Sequence, residues 1–136
     1  MDLTGIINIA SKGGLFKIIS RNKNIIIVES LIDKKRLPVY PNMQANMLEE
    51  IGIYTYSDTK PLLEIFDTIA KKENGKKTIS HKSSTNELTN YFRDVLPEYD
   101  EDRVYISDIK KIIQWYNIMQ SVNLIPSPKK KKQKKK

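Results

Sequence analysis

Few side chains of this sequence have the type and setting that catalysis requires. His81 is the one histidine among 136 residues, and it stands in a stretch rich in serine and lysine. A catalytic imidazole needs a positioned carboxylate and a pocket, and the context of His81 indicates neither. We therefore predict a protein that is not an enzyme, takes no cofactor and has no small-molecule substrate.

A glycine pair early in the chain is a weak candidate for a phosphate-binding loop. Gly13-Gly14 is not followed by lysine at the P-loop spacing, and it does not open a helix. We interpret Lys12-Gly13-Gly14 as a hairpin turn.

An acidic stretch that begins at Asp100 superficially resembles a calcium-binding loop. With Asp100 as the first ligand, the sixth position is Tyr105, where the loop needs glycine, and the twelfth is Lys111, where it needs a carboxylate. The stretch therefore predicts no metal site. Asp100 and Asp102 are expected to make local turn hydrogen bonds, with Arg103 as an ion-pair partner.

The C-terminal tail offers the strongest chemistry. It reads KKKKQKKK over residues 129–136 and carries seven positive charges. Lysines placed at phosphates release condensed counterions, which gives affinity for nucleic acid without sequence preference. A solubilising extension is the alternative. The predicted phosphate-binding residues are Lys129, Lys130, Lys131, Lys132, Lys134, Lys135 and Lys136.

The net charge of +8 belongs almost entirely to this tail. Residues 1–82 have 13 Lys/Arg against 9 Asp/Glu, and residues 83–128 have 4 against 7, so the rest of the chain sums to +1. The chain has no cysteine, which excludes disulfides and thiolate metal sites.

Charged turns within the body are secondary candidates for contacts with RNA. Lys34-Lys35-Arg36 lies in a predicted turn, and Arg21 and Lys23 belong to another, the predicted hairpin connection over residues 21–24. A charged hairpin tip is more often simply solvated.

Aromatic residues could stack on bases, but most lie beside aliphatic residues at strand or helix spacing, which favours a place in the core. Tyr54 and Tyr56 share one face of a predicted strand and are the expected exceptions. The set comprises Tyr54, Tyr56, Tyr91, Tyr99, Tyr105, Trp115 and Tyr116.

The elements that position these groups change type near the middle of the chain. Short β-branched runs predict strands at residues 5–10, 15–20, 25–31, 37–40 and 51–56, with Pro38 at an edge or bulge and one helical turn near 44–50. Five short strands with tight turns predict a small SH3-like β-barrel over residues 1–58.

The second half has a helical period. Apolar residues at helical spacing predict a helix and linker over residues 59–82 and a helix pair over 83–125, followed by the basic tail 126–136. Ser84 with Glu87 forms a capping box, Ser107 is expected to cap the third helix, and Asn123 to end it. The predicted class is α+β: a small SH3-like β-barrel, a small helical module and a basic C-terminal tail.

The sequence shows no pattern of membrane insertion or export. The first residues lack a signal peptide, and no apolar run approaches the roughly 18 residues that span a bilayer. We expect a cytoplasmic protein without a membrane partner.

Three strings in the chain are specific enough to suggest a family: VESLIDKKR, LPEYDEDRVY and SDIKKIIQWYN. Over residues 1 to about 125 the sequence resembles an uncharacterised protein family of Bacteroidetes bacteria, with an SH3-like N-terminal domain and a small helical C-terminal domain. The resemblance implies a lineage-specific protein of the large ribosomal subunit. The lysine tail lies outside the shared region.

Two functions remain open. The first is a ribosomal or ribosome-associated protein whose partners are ribosomal RNA and neighbouring ribosomal proteins. The second is an adaptor that binds proteins through its SH3-like domain and has no nucleic acid partner.

Overall fold

A computed structural model of the protein describes residues 3–10 and 12–125. They fall into two compact units, with the boundary between Ile51 and Gly52. The first unit is built on a five-stranded antiparallel sheet, and the second combines a two-stranded sheet with three helices. The predicted α+β class is confirmed.

The sheet of the first unit is a meander whose fifth strand returns beside the first. Its order is β4-β3-β2-β1-β5, and every neighbouring pair is antiparallel. The strands are β1 Ile6–Ile9, β2 Lys12–Arg21, β3 Ile26–Ser30, β4 Arg36–Val39 and β5 Ala45–Met47. The first four lie where β-branched runs predict them.

One face of this sheet carries the core of the first unit. Because side chains alternate across a strand, Val28 faces inward together with its register partners Ile18 and Leu37. Burying each large apolar side chain contributes roughly 1.5–3 kcal/mol. The buried members of the cluster are Ile7, Ile9, Phe16, Val28 and Val39.

The turn predicted at Lys12-Gly13-Gly14 is wrong in position, since these residues belong to β2. Ile7 pairs with Phe16 and Ile9 with Lys12, so three residues of β2 lie opposite Asn8 alone. Gly14 has φ of 85°, which glycine adopts without a Cβ penalty. A glycine pair indicates a bulge as readily as a turn.

The sheet is open, with β4 and β5 as its edges. The segment 51–56, predicted as its last strand, instead contributes β6 Gly52–Tyr54, which pairs with β7 Thr59–Pro61 in a separate two-stranded sheet. Alternating apolar residues reveal a buried face but not the partner strand, so the prediction assigned the strand to the wrong sheet.

The fifth strand comes from the segment 44–50, which is predicted to be one helical turn. Ala45–Met47 forms β5 beside β1, and only Leu48–Glu50 turns, as a 3₁₀ helix. Pro38 lies on β4, and the prediction that it occupies an edge is confirmed.

The second unit contains the three helices that the apolar spacing predicts: α1 Leu62–Glu73, α2 Thr85–Val95 and α3 Ile106–Ser121. Its core includes two edge-to-face aromatic pairs, Phe66 with Tyr116 and Phe92 with Tyr99, whose centroids are 6.1 and 4.9 Å apart. Such pairs add to the stability that burial provides. The buried helical residues include Ile65, Phe66, Ile69, Leu88, Phe92, Ile109, Ile112, Ile113, Tyr116 and Met119.

The helix ends confirm two predictions and correct one. Ser84 and Glu87 form the capping box of α2, and Asn123 follows α3 in the left-handed conformation, with φ of 65°. Ser107 does not cap α3, because the helix begins at Ile106 and the Tyr105 N–H donates to the Asp108 carboxylate at 3.0 Å. A carboxylate three residues past the cap accepts from the backbone N–H of the cap residue, as in one half of a capping box.

Within residues 3–10 and 12–125, none of the helices has the length and apolarity needed to cross a bilayer.

Candidate nucleic-acid interface and aromatic face

The β3–β4 connection together with the first residue of β4, residues 31–36, forms a turn that we call the basic tip. Hydrogen bonds around one serine and one aspartate hold its backbone. The Ser30 N–H donates to the Lys35 carbonyl at 2.9 Å, and the Lys34 N–H donates to the Ser30 carbonyl at 3.1 Å. The Ser30 hydroxyl accepts from the Ile32 N–H at 3.3 Å, and the Asp33 carboxylate accepts from the Lys35 N–H at 3.0 Å. The backbone of the tip is therefore ordered by its own hydrogen bonds.

The Asp33 carboxylate is the charged hydrogen-bond acceptor in this turn. The hydrogen bond from the Lys35 N–H favours the carboxylate form and lowers the pKa of Asp33. Lys34 takes the left-handed conformation, with φ of 65°, which costs a residue with a Cβ about 1–2 kcal/mol.

The cations of the basic tip are open to solvent. Lys34, Lys35 and Arg36 are all exposed, and within the described part of the chain neither lysine forms an ion pair. The Arg36 Nε lies 3.3 Å from the Glu29 carboxylate, and its side chain is still 63% exposed. Two point charges and a partly neutralised guanidinium are thus displayed at one end of β3.

The other predicted body cations lie at the opposite end of β3. Arg21 ends β2 and pairs with Ile26, while Lys23 stands in the connection closed by the Asn22 N–H and the Ile25 carbonyl at 2.8 Å. Both cations are exposed. Since a strand rises about 3.3 Å per residue, the five residues of β3 separate the two groups, and the structure does not bring them together.

Sequence reasoning missed a charged row across the sheet. Lys17, Glu29 and Arg36 are register partners on β2, β3 and β4, so their side chains lie side by side on the face away from the core cluster. Cross-strand pairs of opposite charge stabilise a sheet weakly. The strand register is what places them, and no local sequence pattern reveals it.

The predicted phosphate-binding lysines of the tail, residues 129–136, lie outside the described residues. The sequence of the tail, and not its structure, therefore supports any role for it.

A second surface lies in the second unit, where Tyr54 and Tyr56 are 47% and 63% exposed. Thr55 between them is buried and bridges to Tyr99, so both rings point away from the core. The Arg103 guanidinium lies 4.4 Å from the centroid of the Tyr54 ring, a cation–π contact. We call Tyr54, Tyr56 and Arg103 the aromatic face.

The other aromatic residues are buried or half-buried, as their spacing predicts, except for Tyr105. Tyr99, Trp115 and Tyr116 are buried, whereas Tyr105 at the start of α3 is exposed. Tyr91 is half-buried, and its hydroxyl donates to the Glu73 carboxylate at 2.6 Å. Burial and this bond raise the pKa of Tyr91, while burial raises the pKa of Tyr116 to about 12.

The aromatic face is bordered by the acidic loop, residues 98–103. The Asp100 carboxylate accepts from the Asp102 N–H at 3.0 Å and from the Arg103 Nε at 2.8 Å, and the ion pair with Arg103 lowers the pKa of Asp100. The predicted turn and ion-pair role of Asp100 is confirmed. Glu101 lies 3.4 Å from the Arg93 guanidinium.

The linker that contains His81 is fastened to α3. The Asn117 side chain accepts from the Thr78 N–H at 2.9 Å and donates to the Ile79 carbonyl at 3.0 Å. The Tyr116 hydroxyl donates to the Lys76 carbonyl at 2.8 Å. These polar groups hold the linker in place. In residues 3–10 and 12–125 no buried side-chain polar atom lacks a partner, and no three metal-ligating side chains cluster.

Comparison with known proteins assigns most of the chain to domains without a known role. Residues 51–119 match the family model described as a domain of unknown function (DUF6852), and residues 3–48 match a second one (DUF5606). The solution NMR structure of a structural-genomics target from Bacteroides vulgatus is 43% identical, covering 93% of this chain and 91% of that chain, with a TM-score of 0.76. No curated protein matches this sequence significantly. The predicted resemblance to an uncharacterised family is confirmed.

Proposed function

We propose that this chain, which belongs to the family described as a domain of unknown function (DUF6852), is a non-catalytic ribosomal or ribosome-associated protein that binds ribosomal RNA; its charge distribution supports the proposal. The tail lysines and the basic tip make the phosphate contacts. Neighbouring ribosomal proteins are its other partners, and its compartment is the cytoplasm.

The concentration of positive charge in the C-terminal tail is the main support for this proposal. Seven lysines fill eight C-terminal positions behind a body of net charge +1, so attraction to a polyanion is concentrated in one segment. Phosphate contacts by lysine release counterions and give affinity without base recognition. Such binding suits a protein that docks on folded RNA.

The basic tip supports the same function from the folded body. Its backbone is hydrogen-bonded around Ser30 and Asp33, so little backbone entropy is lost when Lys34 and Lys35 contact phosphate. The second group, Arg21 and Lys23, lies at the far end of β3 and would contact a different stretch of RNA backbone.

Within the first unit we propose an SH3-like architecture that presents these tips. The meander of four strands with a fifth returning beside the first, in the order β4-β3-β2-β1-β5, is an order that such barrels share. Closure would need an approach of β4 and β5, the two edges of the sheet.

Sedimentation of cell lysate tests the ribosomal association. We expect the protein in washed ribosomes, in the large-subunit fraction after the subunits are separated at low magnesium. Recovery only in the ribosome-free supernatant would reject the association.

The salt dependence of RNA binding tests the mechanism. Each phosphate contact contributes a slope of roughly 0.7–0.9 in log affinity against log salt concentration, so the intact chain should show a steep slope. A full-length variant with all seven tail lysines replaced by glutamine keeps the length and removes the charge. Equal slopes for the two proteins would contradict a tail that binds phosphate.

The aromatic face favours a second candidate, a protein-interaction adaptor. Tyr54 and Tyr56 are exposed beside four carboxylates in the acidic loop, a surface that repels phosphate and suits a basic protein segment. Partners that stay bound after nuclease treatment of a pulldown would favour this function.

A further inference from the structure

We propose that the aromatic face and the acidic loop bind the chain's own C-terminal segment, residues 126–136, when no polyanion is present. The segment then exchanges between this internal site and a phosphate backbone. The internal contact forms without RNA and goes beyond the proposed function, whereas the exchange with a phosphate backbone rests on that function.

The aromatic face is held in a fixed position by backbone bonds from the acidic loop. The Asp100 N–H donates to the Tyr54 carbonyl at 2.9 Å, and the Tyr56 N–H donates to the Glu98 carbonyl at 3.1 Å. The Glu101 N–H reaches the Tyr56 hydroxyl at 3.5 Å. Two exposed rings, one at the end of β6 and one two residues beyond it, are therefore presented on a hydrogen-bonded backbone, and exposed aromatic residues are typical of binding surfaces.

The negative charge beside these rings favours a cationic partner. Glu98, Asp100, Glu101 and Asp102 give the loop four carboxylates in six residues. Arg103 neutralises Asp100 and Arg93 lies against Glu101, whereas Glu98 and Asp102 are exposed and form no ion pair within the described residues. A phosphate backbone is repelled here, and a cationic segment is attracted.

The C-terminal segment has the complementary chemistry. It reads PSPKKKKQKKK, with seven lysines and no acidic side chain. An ammonium group can lie over a tyrosine ring while its charge faces the carboxylates beside it. Being on the same chain, the segment acts at the millimolar effective concentration that a short tether provides.

The C-terminal segment is long enough to reach the acidic loop of the same molecule. Helix α3 begins three residues after Arg103 and has 16 residues, a length of about 24 Å at 1.5 Å per residue. The eleven residues after Ile125 span up to roughly 36 Å when extended. The last lysines can therefore return along α3 to the acidic loop.

A spin label on the segment tests the contact in the full-length protein. The chain has no cysteine, so Gln133→Cys gives a single site for a nitroxide. Without RNA, we expect the amide signals of Tyr54, Tyr56 and Arg103 to weaken by about two-fold or more at about 20 mM salt and to recover at about 500 mM, where charges are screened. The reduced, diamagnetic label gives the reference intensities.

Paired charge reversals show whether the acidic loop is the cause. Glu98→Lys with Asp102→Lys should abolish the weakening at Tyr54 and Tyr56. Glu49→Lys with Glu50→Lys changes the charge equally on the exposed 3₁₀ turn of the first unit and should leave it intact. Tyr56→Ser keeps every charge and should also reduce the weakening of the Tyr54 signal. This variant tests the contact if the double reversal disturbs folding.

Several outcomes would overturn the proposal. They are no weakening at low salt, weakening centred on Glu49 and Glu50, and weakening that disappears on dilution, which would mean that a second copy supplies the segment. Added polyuridylate should release the segment and restore the Tyr54 and Tyr56 signals. If polyuridylate itself shifts those signals in the variant without tail lysines, the aromatic face binds RNA and the proposal is wrong.

Discussion

Two turns of this protein start from the same pattern and present opposite surfaces. Asp33 to Arg36 reads DKKR, and Asp100 to Arg103 reads DEDR. In both, the aspartate accepts a hydrogen bond from the backbone N–H two residues later, at 3.0 Å. The arginines differ, because Arg103 returns to its own aspartate at 2.8 Å while Arg36 turns to Glu29 on the neighbouring strand.

The comparison separates what shapes a turn from what the turn displays. The aspartate and the backbone set the shape in both places. The two middle residues and the arginine's partner set the charge. Among the described residues, two lysines of the basic tip and two carboxylates of the acidic loop form no ion pair. The pKa values of Asp33 and Asp100 are both lowered, the first mainly by a backbone N–H and the second mainly by Arg103.

The largest expected effect comes from the buried aromatic anchor of the acidic loop, compared with an exposed residue of the basic tip. Tyr99 is buried edge-to-face against Phe92 at 4.9 Å, so Tyr99→Ala should lower the free energy of unfolding by about 3–5 kcal/mol. Ile32 on the basic tip is 61% exposed, and Ile32→Ala should change it by less than about 0.5 kcal/mol. Urea unfolding measures both.

Tyr99→Phe is the matched control for this anchor, because it keeps the ring and its contact with Phe92. It should cost no more than about 1 kcal/mol. Equal losses for Tyr99→Ala and Ile32→Ala would mean that the ring of Tyr99 does not anchor the acidic loop.

The second effect concerns RNA affinity. Lys34→Gln with Lys35→Gln should lower the salt slope of RNA binding by about 1.4–1.8, since each phosphate contact contributes about 0.7–0.9. Arg103→Gln should leave the slope unchanged, because that guanidinium is engaged by Asp100 and Tyr54. Filter binding at a series of salt concentrations measures both, and a fall in slope with Arg103→Gln would show that the acidic loop contacts RNA.

The third effect is the pH dependence of stability. A folded carboxyl with a lowered pKa binds protons more weakly than the unfolded one, so the stabilisation from Asp100 is present at neutral pH and is lost as the pH falls from about 4 through the folded pKa. Asp100→Asn should lower the Tm at pH 7, and the difference from the wild type should shrink below about pH 4.

Asp33→Asn is the matched control, because asparagine still accepts the bond from the Lys35 N–H. Its Tm should change less than that of Asp100→Asn, since no arginine pairs with Asp33. Thermal unfolding between pH 2 and pH 7 distinguishes the two, and a constant difference between Asp100→Asn and the wild type would exclude an ionic contribution from Asp100.

The smallest effect separates the shape of the basic tip from its charge. Lys34 has φ of 65°, so Lys34→Gly relieves about 1–2 kcal/mol of backbone strain and adds about 0.5–1 kcal/mol of unfolded-chain entropy. The net gain in the free energy of unfolding should be about 0.5 kcal/mol, together with weaker RNA binding. Lys35→Gly, which lacks this strain, should destabilise the protein; a gain there would contradict the explanation.

What the sequence determined by itself is local. The periodic apolar residues placed all three helices, Ser84 and Glu87 placed the start of α2, and the spacing of Asp100 and Arg103 predicted their ion pair. Residues a few positions apart report such features, because the hydrogen bonds and charges involved lie within one or two turns of chain.

Only the tertiary structure decided which distant segments pair. The pairing of β6 with β7, the use of Ala45–Met47 as a strand, and the row of Lys17, Glu29 and Arg36 depend on strand partners and register. The rigid exposure of Tyr54 and Tyr56 depends likewise on the loop that bonds to their backbone. An alternating pattern states that one face of a strand is buried, and the same pattern fits several partners, so the choice is made by packing across the whole unit.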